Sequence, residues 1–123
     1  MKLSQRRYAD TVVLSLAGRL DHDSCETLRA ELDPLLDEAA EGQPLVLDFS
    51  ALEYVSSAGL RMLMVAGKEA AGQGGKILIA AMRPLVAEIF QISRFTMLFE
   101  IHPGVREALA STSPQAAAAF DRG

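Results

Sequence analysis

PLVLDFSALEYVSSAGLRMLMVAG, residues 44–67, carries two hydrophobic patterns in one run. Residues 44–50, PLVLDFS, are dense in Leu, Val and Phe, as in a strand that is covered on both faces. From Ser57 onward the spacing changes. Leu60, Leu63, Met64 and Gly67 share one face of a 3.6-residue helix, and Arg61, Lys68 and Glu69 are placed to reach solvent. The pattern predicts a strand followed by a helix from Ser57 to about Gly72, with two adjacent hydroxyls, Ser56 and Ser57, at the junction.

The same alternation extends in both directions. Val12, Leu14 and Leu16 in TVVLSLA (11–17) have the period of a half-buried strand, and a weaker strand over about 2–8 can pair with it. GRLDHDS (18–24) then breaks the strand, and Asp23 with Glu26 has capping-box spacing for a first helix. That helix carries Leu28, Leu32, Leu35, Leu36 and Ala39 on one stripe. Pro34 lies within it and predicts a kink or a split near Asp33. EGQP (41–44) reads as a loop, GQGG (72–75) as a turn and KILIAA (76–81) as another buried strand. Pro84 suits the first turn of a third helix with Leu85, Val86, Ile89 and Phe90. TMLFEI (96–101) reads as the last strand, with Met97, Phe99 and Ile101 on one face, and Pro103 opens a fourth helix with Val105, Ala108 and Leu109.

Strand and helix therefore alternate after an opening pair of strands. This predicts an α/β domain, a mainly parallel mixed sheet packed with about four helices joined by right-handed crossovers. The 123 residues are enough for one such domain and one core. Its expected extent is residues 1–112, followed by a tail, 113–123, that shows no apolar stripe and is expected to fray.

Composition removes several classes of function. Twelve Lys and Arg against sixteen Asp and Glu, a net charge of -4, argue against nucleic-acid binding, which needs a basic face. Cys25 is the single cysteine, so no internal disulfide and no thiolate metal cluster can form, which fits a reducing compartment. MKLSQRRYAD lacks the apolar stretch of a signal peptide, and the longest apolar runs fall far short of the ~20 residues that span a bilayer. A cytoplasmic protein without a membrane partner is expected.

Few residues offer catalytic chemistry. GQGGK (72–76) is not a phosphate loop, because Lys76 is followed by Ile77 and a strand rather than by Ser or Thr at a helix start. Asp48 resembles the phosphoacceptor of response-regulator receivers, but the first strands end in no acidic pair to hold magnesium, so a hydrogen-bonding role is the better reading. His22 and His102 are too few for a metal site and read as solvated turn residues. Cys25 has no apparent His or Asn partner and reads as a small buried hydrophobe. Met62, Met64 and Met82 read as core before they read as a soft binding surface. Gly-x-Ser-x-Gly is absent. No cofactor and no enzymatic activity are expected; an enzyme would have to use Asp48 or Cys25 in a deep polar pocket.

The two serines remain, and physical chemistry leaves two accounts open. Either hydroxyl can cap the first turn of the helix, worth about 1 kcal/mol. Alternatively, a hydroxyl there is presented at the surface, where a phosphate would meet unpaired amides and the positive end of the helix dipole. It would add almost two negative charges to a small neutral patch of Ser, Ala and Gly without unfolding anything.

LVLDFSALEYVSSAGLRMLMVAGKEAAGQGGKILIAAMRPLVAEIFQISRF, together with GRLDHDSCETLR at 18–29, resembles the STAS domain of the bacterial anti-sigma factor antagonists, in the same element order from about residue 5 to 110. Members usually show Asp-Ser-Ser or Asp-Ser-Thr and then Gly-Leu at the start of the second helix, with the first of the two hydroxyls phosphorylated. Aligned on Gly59-Leu60, the resemblance puts Ser57 on the phosphoacceptor, Ala58 on the second hydroxyl and Ser56 on the aspartate, with Ser56 as the second choice of acceptor. It implies a partner-switching protein without catalysis. Unphosphorylated, it would bind an anti-sigma factor that is also a serine kinase of the histidine-kinase-like ATPase fold, releasing the sigma factor or other target held there. A metal-dependent serine phosphatase would restore it. The implied docking surface joins Gly18, Leu20, Asp21, His22 and Asp23 to Ser56, Ser57, Ala58, Gly59 and Arg61. The alternative is a STAS scaffold or ligand-sensing module that works without phosphorylation.

Overall fold

In the computed structural model of the chain, residues 1–39, 44–93 and 99–123 are described, with Glu38, Ala39 and Ser93 described by backbone alone. Among these residues five strands form one sheet in the order β1-β2-β3-β4-β5: β1 Lys2–Tyr8, β2 Thr11–Leu20, β3 Pro44–Val55, β4 Lys76–Ala80 and β5 Glu100–His102. β1 runs antiparallel to β2, and every other pairing is parallel, so the sheet is mixed and mostly parallel as predicted. Helices α1 His22–Ala39, α2 Ser57–Gly72, α3 Pro84–Ser93, α4 Val105–Thr112 and α5 Pro114–Asp121 complete the domain.

The helices divide between the two faces of the sheet. Leu28, Leu32, Leu35 and Leu36 of α1, Leu60 and Leu63 of α2, and Val86 and Phe90 of α3 close one core over Leu14, Leu16, Leu47 and Phe49. Ala108 and Leu109 of α4 with Ala116 and Ala117 of α5 close the other over Val13, Val46 and Leu78. Strand order follows chain order, so the crossovers all step the same way and place α1, α2 and α3 on one face. Burial of both faces explains why β3 and β4 read as continuous apolar runs.

Several local expectations are corrected. β2 does not stop at Gly18. It runs to Leu20 with register shifts at Ser15/Ala17 and Gly18/Arg19, and β3 correspondingly runs on to Val55 rather than ending near Ser50. The shifts turn Phe49, Leu52 and Val55 toward the same core at three-residue spacing, which hides the strand from a period of two. Gly18 takes φ +105°, a left-handed conformation that suits glycine. The cap of α1 is also not Asp23 with Glu26. Asp21 Oδ1 accepts from the Ser24 amide at 3.1 Å while the Asp21 amide donates to Ser24 Oγ at 2.9 Å, a reciprocal box two residues earlier. α1 is unbroken at Pro34.

Pro103 lies outside α4, whose N-cap is Gly104. Residues 114–121, where no stripe is legible, form α5: Ser113 Oγ accepts from the Ala116 amide, and Phe120 packs on Tyr8 with ring centroids 5.4 Å apart. Among the described residues five helices thus stand where about four are predicted. α5 escapes the periodicity because four consecutive alanines show no contrast between faces. Thr96, Met97 and Leu98 of the predicted last strand, residues 41–43 of the EGQP loop and the Ala39 side chain lie outside what is described. No helix among the described residues is long and apolar enough to cross a membrane.

Candidate functional site

Sites in open α/β sheets lie beyond the carboxyl ends of the parallel strands, and here β2 and β3 deliver the chain to the starts of α1 and α2 side by side. Leu20 and Val55 are register partners at those strand ends. The Ser56 amide donates to the Leu20 carbonyl at 2.8 Å, which ties the start of α2 to the end of β2. Gly59 makes this closeness sterically feasible: a Cβ there would lie 2.8 Å from Leu20 Cγ and 2.9 Å from the Leu20 carbonyl oxygen.

The two serines take different roles. Ser56, half-buried, is the N-cap of α2, with extended backbone (φ -80°, ψ 171°), and its Oγ accepts from the Gly59 amide at 3.1 Å. Ser57 is the first helical residue, exposed, and its hydroxyl has no hydrogen-bond partner among the described residues. Ser56→Ala is therefore expected to lower stability by about 1 kcal/mol, whereas Ser57→Ala leaves it within about 0.5 kcal/mol. Chemical denaturation of the two variants checks this, and equal losses would contradict the division of roles.

Around this start the sequence-assigned residues gather on one end of the molecule, though not all at its surface. His22, Asp23 and Arg61 are exposed, Gly18, Asp21 and Ala58 are half-buried, and Leu20 and Gly59 are buried. Leu20 and Gly59 thus form the seat beneath the surface. A groove between α1 and α2 joins His22, Asp23 and Glu26 to Ala58, Arg61 and Met62. A second groove lies beside Gly18, Asp21 and Asp23, with Arg19 and Glu53. Arg19 also stacks over the Tyr54 ring, 4.5 Å from its centroid. Asp21 is held below the ordinary carboxylate range by the Ser24 amide and hydroxyl that bond it.

Ser57 itself faces a third groove, with Tyr54, Leu60, Leu85, Ile89 and Ile92. Sequence periodicity assigns Leu85 and Ile89 to the core stripe of α3, but Leu85 is 52% exposed and Ile89 half-buried, while Val86 and Phe90 are fully buried. α3 is apolar on nearly every side, so its pattern cannot say which side faces in. Glu26, read from sequence only as part of a helix cap, and Val65, which no motif marks, are further lining residues of the α1–α2 groove.

The remaining candidates have structural occupations. Asp48 lies within β3 and accepts from Ser15 Oγ at 3.2 Å and from the Ser50 amide at 2.9 Å. His22 begins α1, and His102 ends β5, where its Nε2 lies 2.9 Å from Glu100 Oε1 and 3.3 Å from Ser111 Oγ. Both contacts fall on the same ring nitrogen, which is not the arrangement of a relay through the imidazole. Cys25 is half-buried, and burial raises its thiol pKa. Met62 and Met82 are partly buried against the larger core. The GQGG turn closes α2, with the Gly75 amide donating to the Ala70 carbonyl at 2.8 Å, the Gly74 amide to Ala71, and Gly74 at φ +78°. Among the described residues no group of three His, Cys, Asp or Glu could hold a metal ion.

Comparison with known proteins agrees with this architecture. Residues 3–100 match the family described as "Mlab, STAS domain". The chain is 32% identical over 111 residues to BtrV of Bordetella bronchiseptica, a protein named as an anti-sigma factor antagonist, covering 90% of this chain and 93% of that one. Its fold is similar to the anti-sigma factor antagonist SpoIIAA in its unphosphorylated form, with TM-score 0.72 and 21% identity over 89% of this chain and 95% of that one. It is also similar to the Bacillus cell fate determinant SpoIIAA in the phosphorylated form, with TM-score 0.67 and 21% identity over 89% and 98% of the two chains. With its mixed sheet, its helices on both faces and a family match that spans most of its length, the chain belongs to the STAS domain family.

Proposed function

We propose that the chain is an anti-sigma factor antagonist controlled by phosphorylation of Ser57, a binding switch without catalysis of its own. The observation that carries this reading is the division between the two serines: Ser56 is occupied in capping α2, and Ser57 beside it is exposed, its hydroxyl without a hydrogen-bond partner among the described residues. The name of the BtrV relative supports the antagonist role, and the SpoIIAA structures, one of the unphosphorylated and one of the phosphorylated form, support control by phosphate.

Unmodified, the α2 start would bind an anti-sigma factor that is also a serine kinase of the histidine-kinase-like ATPase fold. Ser57 Oγ attacks the γ-phosphorus of ATP, its proton passes to a base on the kinase, and ADP leaves. The product carries almost two negative charges at the helix start, where the dipole favours them and the fold need not change. Contact with an uncharged partner surface is then lost. A metal-dependent serine phosphatase reverses the state by hydrolysis to serine and inorganic phosphate.

Incubation with the cognate kinase and ATP, read by intact mass and peptide mapping, is expected to add one phosphate, on Ser57. Phosphate on Ser56 instead would shift the acceptor by one residue and require the α2 cap to open. An unmodified chain that still binds the partner would favour the phosphorylation-independent scaffold reading.

A further inference from the structure

We propose that Arg61 is the counter-charge for a phosphate on Ser57: one helical turn apart on α2, the modified serine and the guanidinium form an ion pair within this chain that the unmodified protein lacks. The proposal rests on the reading of Ser57 as the acceptor and adds to it a residue of this chain that responds to the modification.

The start of α2 is electrostatically mismatched before modification. The positive end of a helix favours acidic side chains in its first turn, yet that turn of α2 holds none. The one acid of α2 is Glu69, far along the helix and already paired with Arg29. Arg61 stands just past the first turn, where the dipole offers a cation nothing. It is exposed and has no hydrogen bond or ion pair among the described residues. Other arginines are engaged: Arg29 with Asp33, Arg106 with Asp121, Arg83 with the Ser50 carbonyl and Arg19 over the Tyr54 ring. Arg61 thus contributes little to the unmodified fold.

Phosphate on Ser57 would remove the mismatch. Residues at i and i+4 are neighbours on a helix surface, with Cβ atoms about 6 Å apart, and the anion N-terminal to the cation is the favourable order. A guanidinium can also engage two phosphate oxygens at once. The competing groups are weaker. Across the α1–α2 groove Arg61 faces His22, Asp23, Cys25 and Glu26, but neither carboxylate bonds it, and each carries at most half the charge of the phosphate. On the other side Tyr54 shares the groove of Ser57, and the cation there, Arg19, is already stacked on that ring. The pair would favour the phosphate dianion and fasten the first two turns of α2, so the modified state is held by this chain itself.

The test uses the chain with phosphoserine installed at position 57 by genetic encoding, which needs no kinase. Its phosphate is titrated by phosphorus-31 NMR in wild type, Arg61→Gln, Arg61→Lys and Arg19→Gln. The second phosphate ionisation of wild type is expected at least about 0.3 pH unit below that of Arg61→Gln, the scale of one exposed i,i+4 pair. Arg61→Lys, which keeps the charge, should recover most of the difference, and Arg19→Gln should match wild type. Phosphorylation should raise the thermal unfolding temperature of wild type more than that of Arg61→Gln. Equal ionisation in wild type and Arg61→Gln would overturn the pair, as would an effect that follows Arg19 instead, or one lost equally in the Lys and Gln variants. Unmodified Arg61→Gln should unfold no earlier than wild type, and earlier unfolding would show that Arg61 already has a structural partner and overturn the premise. These outcomes leave the Ser57 reading standing, whereas a kinase that leaves Ser57 unmodified would remove that reading whatever the titration shows.

Discussion

Ser57→Asp is expected to weaken binding to the cognate anti-sigma factor by about 5- to 150-fold, the usual range of coupling between a modification and a binding site, with the fold intact. The carboxylate would stand at the first residue of α2, exposed, where the helix dipole favours an anion. No packed side chain is removed, so thermal unfolding should match wild type. The loss must therefore come from the partner, which would have to close over a new charge in a groove walled by Leu60, Leu85 and Ile89. Ser57→Ala is the complementary case: it should bind as wild type and remain active in the presence of kinase and ATP. Calorimetry and circular dichroism on the same samples decide the matter. Unfolding by Ser57→Asp would mean that the hydroxyl is structural, and unchanged affinity would remove Ser57 from the interface.

Gly59→Val is expected to destabilise the domain by about 3 kcal/mol, the upper end for overpacking, and to lower partner affinity as well. The added Cβ would begin 2.8 Å from Leu20 Cγ and 2.9 Å from the Leu20 carbonyl oxygen. Leu20 cannot retreat easily, since it is fully buried and its backbone pairs with Val55. The start of α2 would have to lift instead, at the expense of the hydrogen bond from the Ser56 amide to that carbonyl. Gly72→Ala is the control. A Cβ there meets nothing within 4 Å, so the change should be neutral or mildly stabilising. Urea unfolding curves of the two variants provide the measurement. A Gly59→Val loss under 1 kcal/mol would show that α2 is not seated on β2 as tightly as this geometry requires.

These two residues also mark the boundary between what is legible in the chain and what is not. Alternation in TVVLSLA, the apolar runs of β3 and β4 and the stripe of α2 specify the element order and a mostly parallel sheet, because each pattern records which neighbours an element must bury against. The residues GRLDHDS and VSSAGLR mark the end of the molecule where the candidate site lies, since strand ends and helix starts are written in Gly, Ser and Asp.

Other features were decided by packing alone. The bulges that carry β2 to Leu20 and β3 to Val55 arise from pairing between strands more than twenty residues apart, which no local period reports. α5 is stabilised by contact with β1, and its alanines carry no signal of their own. Which of two neighbouring serines caps α2 depends on where the Leu20 carbonyl holds the Ser56 amide, and which side of α3 faces outward depends on how Val86 and Phe90 seat against the sheet. Local sequence determines what each segment can bury and where it must turn. Only the assembled sheet determines which hydroxyl and which aliphatic side chains are left for another molecule to meet, because exposure is what remains after every long-range contact has been made.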